Sequence, residues 1–181
     1  MSNRKIIVLC GRAQSGKSTA AKLIKDHLGT YQMAFADPMK KMMKAMGEGL
    51  GLEDRHLYGT NADKNEPLEV FMGNTTRYAL QTLGTEWRNL LSPQLWTNHL
   101  LMRLNHVNPS VMIVIDDMRF AHEYYAMKDL GATIIGIERP GQGASNSTHA
   151  SETWDFKSTG MPVIQNDGTV EQLWEKLKTY L

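Results

Sequence analysis

The sequence predicts an α/β protein with a mainly parallel sheet flanked by helices. Three observations carry that reading. Apolar runs such as Ile6–Cys10 and Val111–Ile115 have strand length, they alternate with segments of helical period, and a glycine-containing loop stands between the first run and the first helical segment.

The elements follow in order. Lys5–Cys10 reads as a buried strand, and Lys17–Leu28 as a helix that Gly29 stops. Tyr31–Phe35 is a second short strand. Asp37 and Pro38 then have the pattern of an N-cap followed by a proline in the first helical position. In the helix that follows, Met39, Met42, Met43 and Met46 fall at i, i+3, i+4 and i+7, the spacing of a stripe facing a core. Residues 47–74 are rich in Gly, Asn and charge and are the least regular stretch. Thr76–Leu83 reads as a helix ending at Gly84, and Ser92-Pro93 as the start of another reaching about His106. Val111–Ile115 is the strongest strand signal, closed by Asp116-Asp117. A helix over Ala121–Leu130 ends at Gly131, and Thr133–Glu138 is the next strand. Residues 139–160 read as a loop and Pro162–Gln165 as a last strand. Thr169 and Gln172 form a capping box for a final helix whose Leu173, Trp174, Leu177 and Leu181 face inward.

At 181 residues the chain suits one domain, taken as 1–181, with ample length for a core. Apolar residues make up 41% and charged ones 22%, and 20 Lys and Arg against 19 Asp and Glu leave a formal charge of +1. That composition excludes a disordered chain, and near-neutrality argues against a protein that coats nucleic acid. A single cysteine, Cys10, excludes an intramolecular disulfide framework and a cysteine-rich zinc site. No apolar run approaches the ~20 residues that a bilayer requires. Met1–Arg12 also lacks the apolar stretch of an export signal, so the expectation is a cytoplasmic protein with no membrane partner.

Gly11-Arg12-Ala13-Gln14-Ser15-Gly16-Lys17-Ser18 satisfies GxxxxGK[ST], directly after a strand and directly before a helix, with Thr19 following. Glycines let successive backbone N–H groups curl around phosphate oxygens, and the helix adds its positive N-terminal end. In a P-loop NTPase fold, Lys17 reaches the β- and γ-phosphates and the Ser18 hydroxyl ligates Mg²⁺. Asp116 and Asp117 stand at a strand end, where such folds hold an acidic residue near the metal; either is a candidate. The dull alternative is a turn or a helix cap. An acceptor site is sought at Phe35, Asp37 and Lys40, at Arg77, Gln81, Thr85, Trp87 and Arg88, and at Arg119, because separated arginines suit a phosphomonoester. Asp37 is equally readable as a cap, Arg77 and Arg88 as solvated helix charges, and Trp87 as core.

Taken together, GRAQSGKST, FADPMKKMM, TRYALQTLGTEWR, DDMRFAHE, HASE and IQNDGT resemble the bacteriophage deoxynucleoside monophosphate kinases in order and spacing, from about Lys5 to Leu173. The resemblance implies a nucleoside-monophosphate-kinase-like fold with an acceptor-binding region over about 36–92 and a lid-like loop over about 139–160. It implies transfer of the ATP γ-phosphate to a deoxynucleoside 5′-monophosphate, with Mg²⁺, in the supply of DNA precursors in the host cytoplasm. By the same resemblance Lys17 and Ser18 serve ATP and Mg²⁺, and Asp37, Arg77, Gln81 and Trp87 line the acceptor side. Asp117 partners Arg119, His149, Ser151 and Glu152 lie in the lid-like loop, and Asn166 passes close to the adenine. Ser18 departs from the family, many members of which carry Asp there; a hydroxyl matches the general Walker pattern. Arg139, which opens the loop rich in Gly and Pro, is the candidate for a lid arginine, with Lys157 a weaker one, and a homodimer is an expectation from the resemblance alone. Two other functions stay open: a kinase acting on modified bases within phage DNA, which would need a basic track, and a non-catalytic ATP-binding module.

Overall fold

The computed structural model describes residues 4–141 and 154–181. Strand β1 (Ile6–Cys10) is apolar throughout and buried at every position. A strand with neighbours on both sides and helices on both faces requires that composition. It pairs in parallel with β3 (Ile113–Met118) on one side and β4 (Thr133–Glu138) on the other. The outer strands β2 (Tyr31–Met33) and β5 (Val163–Gln165) pair in parallel with β3 and β4, giving one five-stranded sheet in the order β2-β3-β1-β4-β5.

Alternation along these strands divides the core between two faces. Ile6, Val8, Ile113 and Ile115 pack with Leu100 and Leu104 of α6 (Leu95–Asn105) and Tyr124 and Met127 of α7 (Ala121–Asp129). Ile7, Leu9 and Val114 pack with Ala20, Ala21 and Ile24 of α1 (Lys17–Leu28) and Leu173 and Leu177 of α8 (Val170–Lys178). Each fully buried large aliphatic side chain contributes about 1.5–3 kcal/mol. That makes the central strands the rigid footing for whatever their ends carry.

The chain divides into two units, Met1–Phe35 with Leu100–Leu181, and Ala36–His99. The sheet belongs to the first. The second is helical: α2 (Asp37–Gly47), α3 (Asp54–Tyr58), α4 (Asn61–Lys64), a 3₁₀ turn at Glu69–Phe71, and α5 (Thr76–Leu90). Met43, Leu57, Leu68 and Phe71 form its own small core, with Ala79, Leu80 and Leu83 packed against it.

Several sequence expectations need correction. Ala36, not Asp37, occupies the cap of α2, so Asp37 is its first helical residue. Of the methionine stripe, Met39 and Met43 are buried, whereas Met46 is 53% exposed, one turn beyond the end of the packed face. Residues 47–74 are not irregular: two short helices order them, with the Glu53 N–H donating to His56 Nδ1 at 2.9 Å and the Thr60 hydroxyl accepting the Asp63 N–H. Helix α5 does not stop at Gly84 but runs to Leu90. The next helix starts at Leu95, after a turn in which the Leu95 N–H donates to the Ser92 carbonyl. Strand β3 includes both aspartates. The capping box of Thr169 and Gln172 is as expected.

Candidate active site

Parallel strands put their carboxyl ends on one edge of the sheet, where ligands of open α/β sheets bind. In the first unit that edge carries the Gly11–Ser18 loop after β1, Asp117 and Arg119 at the end of β3, Arg139 after β4 and Asn166 after β5. The loop itself runs through left-handed backbone at Gly11 (φ 146), Gln14 (φ 63) and Gly16 (φ 101), and Gly16 caps α1. A Cβ on Gly11 would overlap the Ile137 carbonyl, so the close approach of β4 demands glycine there. Lys17 is only 7% exposed, and its Nζ donates to the Gly11 carbonyl at 2.7 Å and to that of Arg12. The ammonium is therefore folded into the ring of the loop. The Ser15 hydroxyl is buried and finds no hydrogen-bond partner among the described residues. Arg12, Ser18 and Thr19 are exposed, with Ala13 half-buried.

At the end of β3 the sheet registers shift. Between the pairs Val8↔Ile115 and Cys10↔Met118 the chain advances two residues along β1 and three along β3, so one extra residue is accommodated at Asp116–Asp117. A bulge of this kind re-aims side chains at a strand end. Asp117 Oδ1 accepts the Phe35 N–H at 2.9 Å, tying the segment after β2 to β3. The Phe35 ring is 3% exposed and belongs to the core, so the structure gives it no ring surface for a ligand.

Arg119 is positioned by a residue that sequence reasoning missed. Glu123 is 4% exposed, and its Oε2 accepts the N–H groups of Arg119 at 2.7 Å and Phe120 at 3.1 Å. Burial first, then the Asp117 charge, pushes its carboxyl up to about 8, against the pull of those backbone donors and Arg119. Its signal was available, since a glutamate three residues after a helix start reads as a cap. Burial likewise pushes the Cys10 thiol up to about 12, against the influence of Lys17 and Arg119, which keeps it protonated and inert as a nucleophile. A small cleft lies over this cluster, lined by Cys10, Gly11, Arg12, Met118, Arg119, Trp154 and Phe156. Trp154 had no role in the sequence reading; it packs against Tyr124 with ring centroids 5.9 Å apart.

The second unit presents its candidates by helix period. Arg77, Gln81, Thr85 and Arg88 on α5 fall within about 80° of one another at ~100° per residue, and all are half-buried. Arg77 Nε donates to Asn65 Oδ1 at 3.0 Å, and its terminal nitrogen donates to Asn61 Oδ1. Trp87 is not part of that group. It lies on the packing side with Leu80 and Leu83, stacks on Trp96 with centroids 6.2 Å apart, and is nonetheless 42% exposed. Lys40 Nζ sits 4.8 Å from the centre of the Tyr58 ring. Burial and then the Asp37 charge raise the Tyr58 hydroxyl above its usual range.

Arg139 is exposed at the end of β4. Lys157 pairs with Glu138 at 2.6 Å. His149, Ser151 and Glu152 lie outside the described residues, as does most of the expected lid-like loop. Among the described residues no three His, Cys, Asp or Glu side chains converge as a metal cage, and no helix is long and apolar enough to cross a membrane. The Ser18 hydroxyl and the Asp116 and Asp117 carboxylates are hard oxygen donors. They suit Mg²⁺, an ion held by few protein groups together with phosphate oxygens and water.

Comparison with known proteins adds an independent line. A family model described as deoxynucleotide monophosphate kinase matches residues 69–177. A protein of Acanthamoeba polyphaga mimivirus, provisionally named as a deoxynucleotide monophosphate kinase, is 35% identical over 95% of this chain and 93% of its own length. The deoxynucleotide monophosphate kinase of Enterobacteria phage T4 is 43% identical over 38% of this chain, a match spanning 28% of the phage protein. That of Escherichia phage RB69 is 32% identical over 58% of this chain and 44% of its own.

Proposed function

The chain belongs to the deoxynucleotide monophosphate kinase family, and from that premise we propose that it converts a deoxynucleoside 5′-monophosphate and ATP to the diphosphate and ADP. In general terms it is a nucleotide kinase of the phosphotransferase type. The observation that carries the specific reading is the loop after β1. There a buried lysine, two left-handed glycines and a serine hydroxyl with no hydrogen-bond partner among the described residues surround a helix N-terminus at the carboxyl edge of the sheet.

Phosphoryl transfer needs little covalent chemistry from a protein, so positioning and charge neutralisation dominate. A phosphate oxygen of the monophosphate attacks the γ-phosphorus, and the bond to the β-bridging oxygen breaks, releasing ADP. In this reading the Gly11–Ser18 loop holds the triphosphate of ATP. The Lys17 ammonium, now satisfied by the Gly11 and Arg12 carbonyls, exchanges them for phosphate oxygens. Arg119, with its backbone held by Glu123, and Arg139 supply positive charge at the same sheet edge. Asp37, Lys40, Arg77, Gln81 and Thr85, within the region 36–92, bind the acceptor monophosphate. Mg²⁺ would be held by Ser18 and by Asp116 or Asp117; when bound, it offsets charge on the phosphates.

An ADP-release assay tests the reading, with ATP and Mg²⁺ against dTMP, dGMP, dCMP, dAMP, their ribonucleotide counterparts and DNA oligomers. Turnover should depend on one or more deoxynucleotides, and Lys17→Ala should lower it by about two to three orders of magnitude while the fold persists. Turnover that depends on DNA instead, or no acceptor-dependent turnover despite intact ATP binding, would overturn it.

A further inference from the structure

Asn166 lies one residue beyond β5, and the sheet fixes its backbone: its N–H donates to the Glu138 carbonyl at 2.6 Å, next to the β4–β5 pair Glu138↔Gln165. From that footing its Nδ2 donates to the Ser15 carbonyl at 2.9 Å. The amide also packs on the α-carbon of Gly16, where a Cβ would overlap Nδ2. The Ser15–Gly16 peptide is trans, since the chain has no cis bonds among its described residues. In a planar trans peptide the carbonyl and the N–H point to opposite sides. Turning the Ser15 carbonyl toward Asn166 therefore turns the Gly16 N–H away from it, the orientation a phosphate-cradling N–H at a helix start requires.

We propose that Asn166 is a positioning residue that clamps the Ser15–Gly16 peptide and aims the Gly16 N–H at the phosphates, so that it governs binding of the polyphosphate chain rather than of the base. This rests on the reading of Gly11–Ser18 as a nucleotide phosphate loop. It replaces the expectation that Asn166 serves the adenine. The orientation of the amide is itself determined by chemistry, because an Oδ1 facing the Ser15 carbonyl would set two acceptors against each other.

Direct binding titrations separate the two roles. ATP and inorganic tripolyphosphate, each with Mg²⁺, are titrated into the wild-type protein, Asn166→Ala and Asn166→Asp. Asn166→Ala should weaken both ligands by a similar factor, about three- to tenfold, the size of one neutral hydrogen bond. Asn166→Asp should weaken both further, because a carboxylate would face the Ser15 carbonyl and add negative charge beside the phosphates. The KM for the acceptor should not move with either variant. A loss confined to ATP, with tripolyphosphate unchanged, would assign Asn166 to the base and overturn the clamp. Unchanged affinity for both would do the same. Should the variants fail to fold, the wild-type protein decides: tripolyphosphate should shift the Gly16 amide resonance, and an unmoved Gly16 amide alongside bound ligand overturns the proposal. Wild-type protein that binds neither polyphosphate would bring down the phosphate-loop reading first, a separate failure.

Discussion

The Gly11–Ser18 loop and helix α5 each place a glycine where the sequence suggests that regular structure ends, and only one of them ends it. Gly11 closes β1 with φ at 146 and its α-carbon pressed against the main-chain carbonyl of Ile137. Gly84 continues as ordinary helix, its carbonyl accepting the Trp96 Nε1–H at 2.9 Å. What lies against Gly84 is the end of a flexible side chain, Met39 Sδ, 3.1 Å from where a Cβ would stand. Glycine therefore reports a close approach in both regions. Whether the chain also turns depends on φ, which residue type alone does not state.

The contrast breaks most easily at Gly11→Ala. Both the left-handed φ and the overlap with a sheet carbonyl oppose a methyl group, and strands β1 and β4 lie at the centre of the core and cannot move apart. Denaturant unfolding should show a loss of about 2–4 kcal/mol, accompanied by loss of ATP binding. A variant within about 0.5 kcal/mol of wild type would mean that the loop tolerates side chains and that the backbone does not define the site.

A smaller effect is expected on the half-buried Arg77 face of α5, where the proposed role falls to a side chain rather than to backbone. Arg77→Ala should raise the acceptor KM by roughly tenfold, in keeping with loss of a charge-assisted contact, and leave the KM for ATP unchanged. Arg77→Lys keeps the charge but not the fork that reaches Asn61 and Asn65, so it should recover only part of the loss. An acceptor KM equal to that of the wild type would remove Arg77 from the site.

These two regions also mark how much was legible in the sequence. The strand–loop–helix at 6–28 was readable because a local motif, a buried apolar run and a glycine stop all agree there. The same holds for the β4 boundaries and the capping box of α8. Residues 47–74 were not readable, because α3 and α4 are too short to show a period and are ordered by caps and by charge pairs such as Arg55 with Glu53, Asp63 and Glu66. Burial escaped as well. Phe35 stands among the acceptor-site candidates in the sequence, and only the sheet shows its ring in the core. The spacing of Glu123 from the start of α7 is legible as a cap, but its depth is not, and only the fold of β3 into α7 buries its carboxylate against the Arg119 N–H. Residue type and spacing carry the chemistry of a loop, whereas depth is a property of the packed whole.

The smallest effect, and the sharpest test of the contrast, is Gly84→Ala. Alanine gains about 1 kcal/mol over glycine in a helix interior. Against this stands one tight contact with Met39 Sδ, which three rotatable bonds allow to shift, and the Trp96 hydrogen bond to the Gly84 carbonyl needs no change. The net result should lie between no change and a gain of about 1 kcal/mol, or up to roughly 2–4 °C in Tm for a chain of this size. A loss of more than about 1 kcal/mol would show that Met39 cannot yield where α2 packs on α5. Gly84 would then belong with Gly11 as a position that only glycine can fill.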